Sequence, residues 1–257
     1  MTELHSEFDV VTHPSGKSIS AAPLNQFPWL RHASTLRSFS YPETPRMTEL
    51  REMQKHLDAD SKFLVHGEQK HTANVGVVDD AIVASAGSED YFRFPSTDAL
   101  VCPVPGVTIA IMTADCAPIF LVDPVARIIA LAHAGWKGTL AQIARRTVET
   151  MVSLGSKDDQ IIAWVGPMAG GCCYEVSIDL IEKFQSEFPG WPVAASTSER
   201  HLDLVDINCR ILEASGLTAS NIHRSNICTI HNCDSFYSYR GDNGTHGRII
   251  SAMVISR

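Results

Sequence analysis

Thr113–Gly138 reads TADCAPIFLVDPVARIIALAHAGWKG, and its punctuation decides the fold class. Two apolar runs, Ala117–Val122 and Ile128–Ala132, each have the length of a buried strand, and Asp123-Pro124 supplies the turn between them. Cys116 starts the first run and His133 ends the second. A soft thiolate and an imidazole at adjacent strand ends can converge on one metal ion. Gly135 and Gly138 permit a tight strand-to-helix turn. A helix is predicted over Thr139–Leu154, with Leu140, Ile143, Thr147 and Met151 on one side. Strand, ligand, glycine turn and helix have the composition of an active-site corner.

The chain has 257 residues, enough for one large domain or two small ones. Its net charge of −8 argues against a general nucleic-acid or anionic-membrane surface. No apolar run approaches the ~20 residues of a membrane span. The first ten residues have neither a basic n-region nor an apolar h-region, so no signal peptide is predicted. The seven scattered cysteines then read as reduced thiols or metal ligands, and the cytoplasm is the expected compartment.

Working outward, Phe8–Thr12 and Ser18–Ala22 suggest a hairpin about Pro14-Ser15-Gly16, and Trp29–Arg37 a strand. Arg37 reads either as a solvated edge residue or as an anion-binding arm. Pro45–Leu57 predicts a helix, with Leu50, Met53 and Leu57 on one face. Phe63–His71 and Asn74–Val78 are β-like, and residues 83–97 read as a loop. Asp98–Val101, Val107–Met112 and Ile161–Val165 are short buried-strand candidates.

The glycine-rich turn Gly166–Val176 leads toward a helix with Ile181, Phe184 and Phe188 inward, and its N–H groups suit an anion. A further helix is predicted over Asp203–Ser215, with Gly216 beyond it. Phe236–Asp242 reads as a strand breaking into a polar turn, and Gly247–Ile255 as a final strand. Strands and helices alternate without a break in composition. The expectation is one layered α/β sandwich domain with mixed sheets, spanning 1–257, with residues 1–26 as an N-terminal extension.

His66 and His71 both lie near strand ends, and either alone reads as a surface or core histidine rather than as a ligand. His71, Cys116 and His133 together make a His₂Cys set that leaves zinc's fourth position open, as in catalytic sites. Asp115 next to the thiolate is a candidate for orienting a ligand or carrying a proton, or simply for capping a turn. Cys172-Cys173 reads as packing at a turn. Cys228, His231 and Cys233 form a cluster that lacks the second half of a zinc motif.

TADCAPIFLVDP followed by LAHAGWKGT resembles the laccase-domain family, also called the multicopper polyphenol oxidase or purine nucleoside phosphorylase family. His32–Arg37 is similar to its H-x-x-[ST]-x-R segment and Gln69-Lys70-His71 to its Q-x-H motif. Gly166-Pro167 with Cys173–Val176 is similar to GP…CYEV, Phe236–Arg240 to F-x-S-[YH]-R, and Gly247-Arg248 to the closing GR. The family's R-x-G-G is absent, because Ser38-Phe39-Ser40-Tyr41 follows Arg37.

The resemblance implies zinc held by His71, Cys116 and His133, and Q-x-H selects His71 over His66. It also implies phosphorolysis of adenosine, inosine, guanosine and methylthioadenosine, with adenosine deamination as a side reaction. Asp115 and Cys116 are then the catalytic candidates, and Arg37, Cys173, Arg240 and Arg248 the substrate contacts. Partners would be purine nucleosides and phosphate, with no nucleic acid or membrane, in a monomer or small homo-oligomer.

Three other readings stay open. Copper-dependent phenol oxidation calls for histidine pairs, and none of the 11 histidines forms an H-x-H. Hydrolytic editing of cell-wall precursors would use Cys116 and His133 as nucleophile and base. A zinc-stabilised, non-catalytic module would need a closed site.

Overall fold

The apolar runs alternate in the direction they face, and that alternation builds the layers. The computed structural model describes residues 7–39, 46–58, 60–195 and 198–256. One sheet contains β1 (Phe8–His13), β2 (Gly16–Ala21), β3 (Leu30–Thr35), β4 (Phe63–Gly67), β6 (Tyr91–Phe94), β8 (Val107–Thr113) and β13 (Ile249–Ile255), in the order β1-β2-β3-β13-β8-β4-β6. The other contains β5 (Val75–Val77), β7 (Ala99–Cys102), β9 (Ala117–Asp123), β10 (Ile128–Ala134), β11 (Ile162–Val165) and β12 (Ile222–Arg224), in the order β12-β11-β9-β10-β7-β5. Both are mixed: β4 runs parallel to β6 and β8, β5 to β7, and β11 to β12, while the remaining pairs are antiparallel.

Ile109 and Ile111 of β8 meet Phe120, Leu131 and Trp164 in an apolar layer between the sheets. Their neighbours on β9 and β10, including Ile119, Leu121 and Ala132, turn the other way, onto helices. Those helices are α4 (Ile143–Ser153), α5 (Ile178–Glu187) and α6 (Leu204–Ala214). Helix α1 (Arg46–Leu57) covers the outer face of the first sheet through Leu50, Met53 and Leu57. With both faces covered, the strands read as continuous apolar runs. Among the described residues no helix is long and apolar enough to cross a membrane.

The central hairpin forms as expected, with His133 opposite Pro118 across β9 and β10. Four expectations change. The helix expected over Thr139–Leu154 is two, α3 (Trp136–Leu140) and α4, because Gln142 takes a left-handed φ of 56° between them. The loop expected over 83–97 contains the end of α2 (Asp80–Ser85), capped by Asp79, and all of β6, paired with β4. Phe236–Asp242 forms no strand; turns closed on Ser238 and Asp242 take the backbone N–H groups of Ser238, Gly241 and Asp242. β3 stops at Thr35, so Arg37 lies in a short 3₁₀ turn. Pro45, expected in the first turn of α1, lies outside the described residues.

Candidate metal centre

Strands β4, β8 and β10 all end at one side of the sheet pair, and a groove of about 980 Å³ opens there. His71, Cys116 and His133 lie in its wall, with ligand atoms within 4.8 Å of one another. Cys116 Sγ is 3.9 Å from His71 Nε2. Tetrahedral zinc, with bonds of about 2.3 Å to sulfur and 2.0–2.1 Å to nitrogen, sets such atoms about 3.6 Å apart. The donor set therefore fits one soft-to-borderline ion and leaves a coordination position open.

Asp98, read from sequence only as part of a strand, organises this set. It is fully buried, and its carboxylate accepts from the backbone N–H of Lys70, His71 and Thr72 and from the Thr72 hydroxyl. His133 Nδ1 lies 2.8 Å from Asp98 Oδ1. That bond turns the other ring nitrogen toward Cys116. Burial opposes charge on Asp98, but the hydrogen bonds from His133 and Thr72 outweigh it and hold the carboxyl far below its usual range. The same contacts hold His71 in the left-handed region, at φ 59°. Gln69 bonds twice to the backbone of Met112, its amide standing in for a strand partner.

Burial disfavours charge on Cys116 and His133 as well. Hydrogen bonds from His133 and His71 nonetheless lower the Cys116 thiol to about 6. Asp98 and Cys116 raise the His133 imidazole to about 9. Each partner thus favours the charged form of the other. Gly135 is needed for space, not for turn conformation: its φ is −81°, and a Cβ there would lie 2.7 Å from Cys116 Sγ.

Asp115, at φ 82°, also lines the groove. One oxygen accepts from the Thr229 hydroxyl and the other from the Arg240 N–H, both at 2.7 Å. Each oxygen keeps a lone pair for a substrate proton. Arg240 lies over the Tyr174 ring and donates to the Glu175 carbonyl. Arg248 is half-buried in the same wall, with Arg46 close enough to depress its pKa after burial has done so. Among the described residues Arg248 has no carboxylate partner. His66, the histidine not chosen, is buried in the groove wall and stacked on Tyr91.

Two expected contacts lie elsewhere. Arg37 is not in the groove; it clamps Asp242 at 2.7 Å and lies over Tyr237, stapling the 236–242 turn to the end of β3. Cys173 does not line the groove; it stands with Cys172 beside Cys228 and His231, whereas Cys233 is outside that group. In the expected anion cradle of Gly166–Val176, the N–H groups of Gly166, Met168, Ala169, Cys173 and Tyr174 donate within the protein, to Pro118, Ile227, Asp115 and Gly170, and so are not offered to an anion.

Residues 46–256 match the family described as multi-copper polyphenol oxidoreductase laccase. A purine nucleoside phosphorylase of Deinococcus radiodurans is 43% identical over 160 residues, which are 62% of this chain and 62% of that protein's length. The adenosine deaminase RL5 of an unknown prokaryotic organism is 36% identical over 205 residues, 78% of each chain. The crystal structure of YlmD from Geobacillus stearothermophilus superposes with a TM-score of 0.85 at 25% identity, covering 98% of this chain and all of that one. The two share the fold.

Proposed function

This chain belongs to the multi-copper polyphenol oxidoreductase laccase family, and on that premise we propose that it is a zinc-dependent purine nucleoside phosphorylase that also deaminates adenosine. The observation that carries this reading is the three-donor set in a groove walled by arginines. The names of the relatives, phosphorylase and deaminase, support the same class. Its nucleosides are adenosine, inosine, guanosine and methylthioadenosine. When bound, zinc supplies a Lewis acid with an open position.

The chain's own residues do the rest. Arg248, with Arg46 and Arg240, holds phosphate against the ribose, since planar guanidinium donors match phosphate oxygens. Trp136, Tyr174 and Tyr239 offer aromatic faces to the purine. In phosphorolysis the C1′–N9 bond breaks as a phosphate oxygen bonds C1′, and the phosphate proton passes to the purine. Asp115 relays that proton. In deamination Asp115 takes a proton from the attacking water and returns it to the leaving amine.

Copper-based oxidation finds no support in the residues, because the chain has no H-x-H pair and the three donors of the groove suit a single ion. The seven free thiols suit a cytoplasmic setting.

The test is a product assay on zinc-loaded protein with adenosine, with and without phosphate, beside Cys116→Ala. The expected products are phosphate-dependent adenine with ribose 1-phosphate, and inosine without phosphate, both lost in the variant. Absence of both products from zinc-loaded protein overturns the reading and turns attention to cell-wall precursors.

A further inference from the structure

Behind the groove wall, two loops bring a second set of donors together. Met168 and Cys228 form a parallel bridge, with Met168 N–H donating to the Ile227 carbonyl and Thr229 N–H to that of Met168. This pairing lays the glycine-rich turn beside residues 227–232. Cys172, Cys173, Cys228 and His231 then present three sulfurs and an imidazole nitrogen, all within 4.8 Å of one another. Cys172 Sγ lies 3.5 Å from His231 Nδ1. That matches the edge of about 3.6 Å between sulfur and nitrogen on tetrahedral zinc.

The surroundings suit a thiolate cluster. Gly170 N–H points at Cys228 Sγ from 3.3 Å. A Cβ on Gly170 would lie 3.4 Å from Cys172 Sγ and 3.3 Å from Cys228 Cβ, so glycine keeps the backbone close to the sulfurs.

We propose that Cys172, Cys173, Cys228 and His231 form a second metal site, a closed Cys₃His zinc centre with a structural role. Four protein donors leave no position for substrate, in contrast to the three in the groove. The centre ties together the two loops that reach the groove. One carries Tyr174 and Glu175, which hold Arg240; the other carries Thr229, which holds Asp115. The site braces the groove from behind and does not depend on which reaction occurs there.

The test uses the full chain, purified reduced and loaded with Zn²⁺ or Co²⁺ alone. Elemental analysis is expected to find two metal equivalents in the wild type, one in Cys116→Ala and one in Cys228→Ser. The cobalt form of Cys116→Ala should show charge transfer from three thiolates, and that of Cys228→Ser from one. X-ray absorption at the zinc edge of Cys116→Ala should give three sulfurs and one nitrogen, a readout that does not require Cys228→Ser to fold. One equivalent in the wild type that disappears in Cys116→Ala overturns the proposal. So does a zinc shell without sulfur in that variant.

Discussion

Asp98 accepts from three consecutive backbone N–H groups, from a hydroxyl and from the His133 ring, so one carboxylate sets both the His71 loop and the His133 tautomer. Asp98→Asn places an amide N–H where those donors point. The variant is expected to lose about 10–100-fold in metal affinity, the usual cost of removing a ligand's outer partner. Chelator competition on the folded protein measures it, and unchanged affinity would show that the tautomer is set by something else. In sequence Asp98 is only the polar residue before Ala99-Leu100-Val101. Its importance lies in five bonds from distant residues, which no local spacing encodes. That His71, Cys116 and His133 come together was legible in part: strand ends point to Cys116 and His133, and the Q-x-H resemblance selects His71.

At the scale of elements, apolar runs bounded by turn residues were enough to locate β8, β9, β10 and α6. They failed where a single backbone torsion decides. The apolar side from Leu140 to Met151 continues through Gln142, yet Gln142 is left-handed and starts a second helix. That conformation costs a non-glycine residue roughly 1–2 kcal/mol, and glycine adds back roughly 0.5–1 kcal/mol of unfolded-state entropy. Gln142→Gly is therefore expected to stabilise the protein by up to about 1 kcal/mol, read from the urea midpoint at constant slope. A loss of stability would mean that the exposed bond from Gln142 to Glu187 outweighs the torsion. β6 and α2 escaped notice for another reason: α2 buries no residue, and so has no apolar stripe to read.

Across the whole molecule, buried histidines tie stability to acid. His32 accepts from the Ala21 N–H, and burial lowers its pKa from 6.5 to about 4, partly offset by the Ala21 carbonyl. Between those values the unfolded chain binds the proton and the folded one does not. The stabilisation is thus complete above pH 6.5 and is lost as pH falls toward 4, by about 3 kcal/mol. His56, also lowered to about 4 by burial and then by His13, adds slope of the same sign. Denaturant unfolding from pH 7 to 4 should show this fall, and His32→Gln should flatten it; an unchanged slope would place the acid sensitivity elsewhere. Charge distribution has its own signature. The chain is net −8, yet Arg46, Arg93, Arg240 and Arg248 face the groove. Phosphate capture by such a patch is screened by salt. KM for phosphate should rise with ionic strength while KM for adenosine moves little.

The place of β13 between β3 and β8 also governs how the protein comes to be made. Ser251 meets Ser34 across 217 positions of chain, so the middle of that sheet closes only after twelve other strands exist. During synthesis β3 and β8 each carry a bare edge for that whole interval, the kind of surface that pairs with other nascent chains. Folding dominated by such distant pairing is slow. A cell making this protein quickly will need holdase chaperones more than one making it slowly, and lowering the growth temperature during expression will raise the soluble yield.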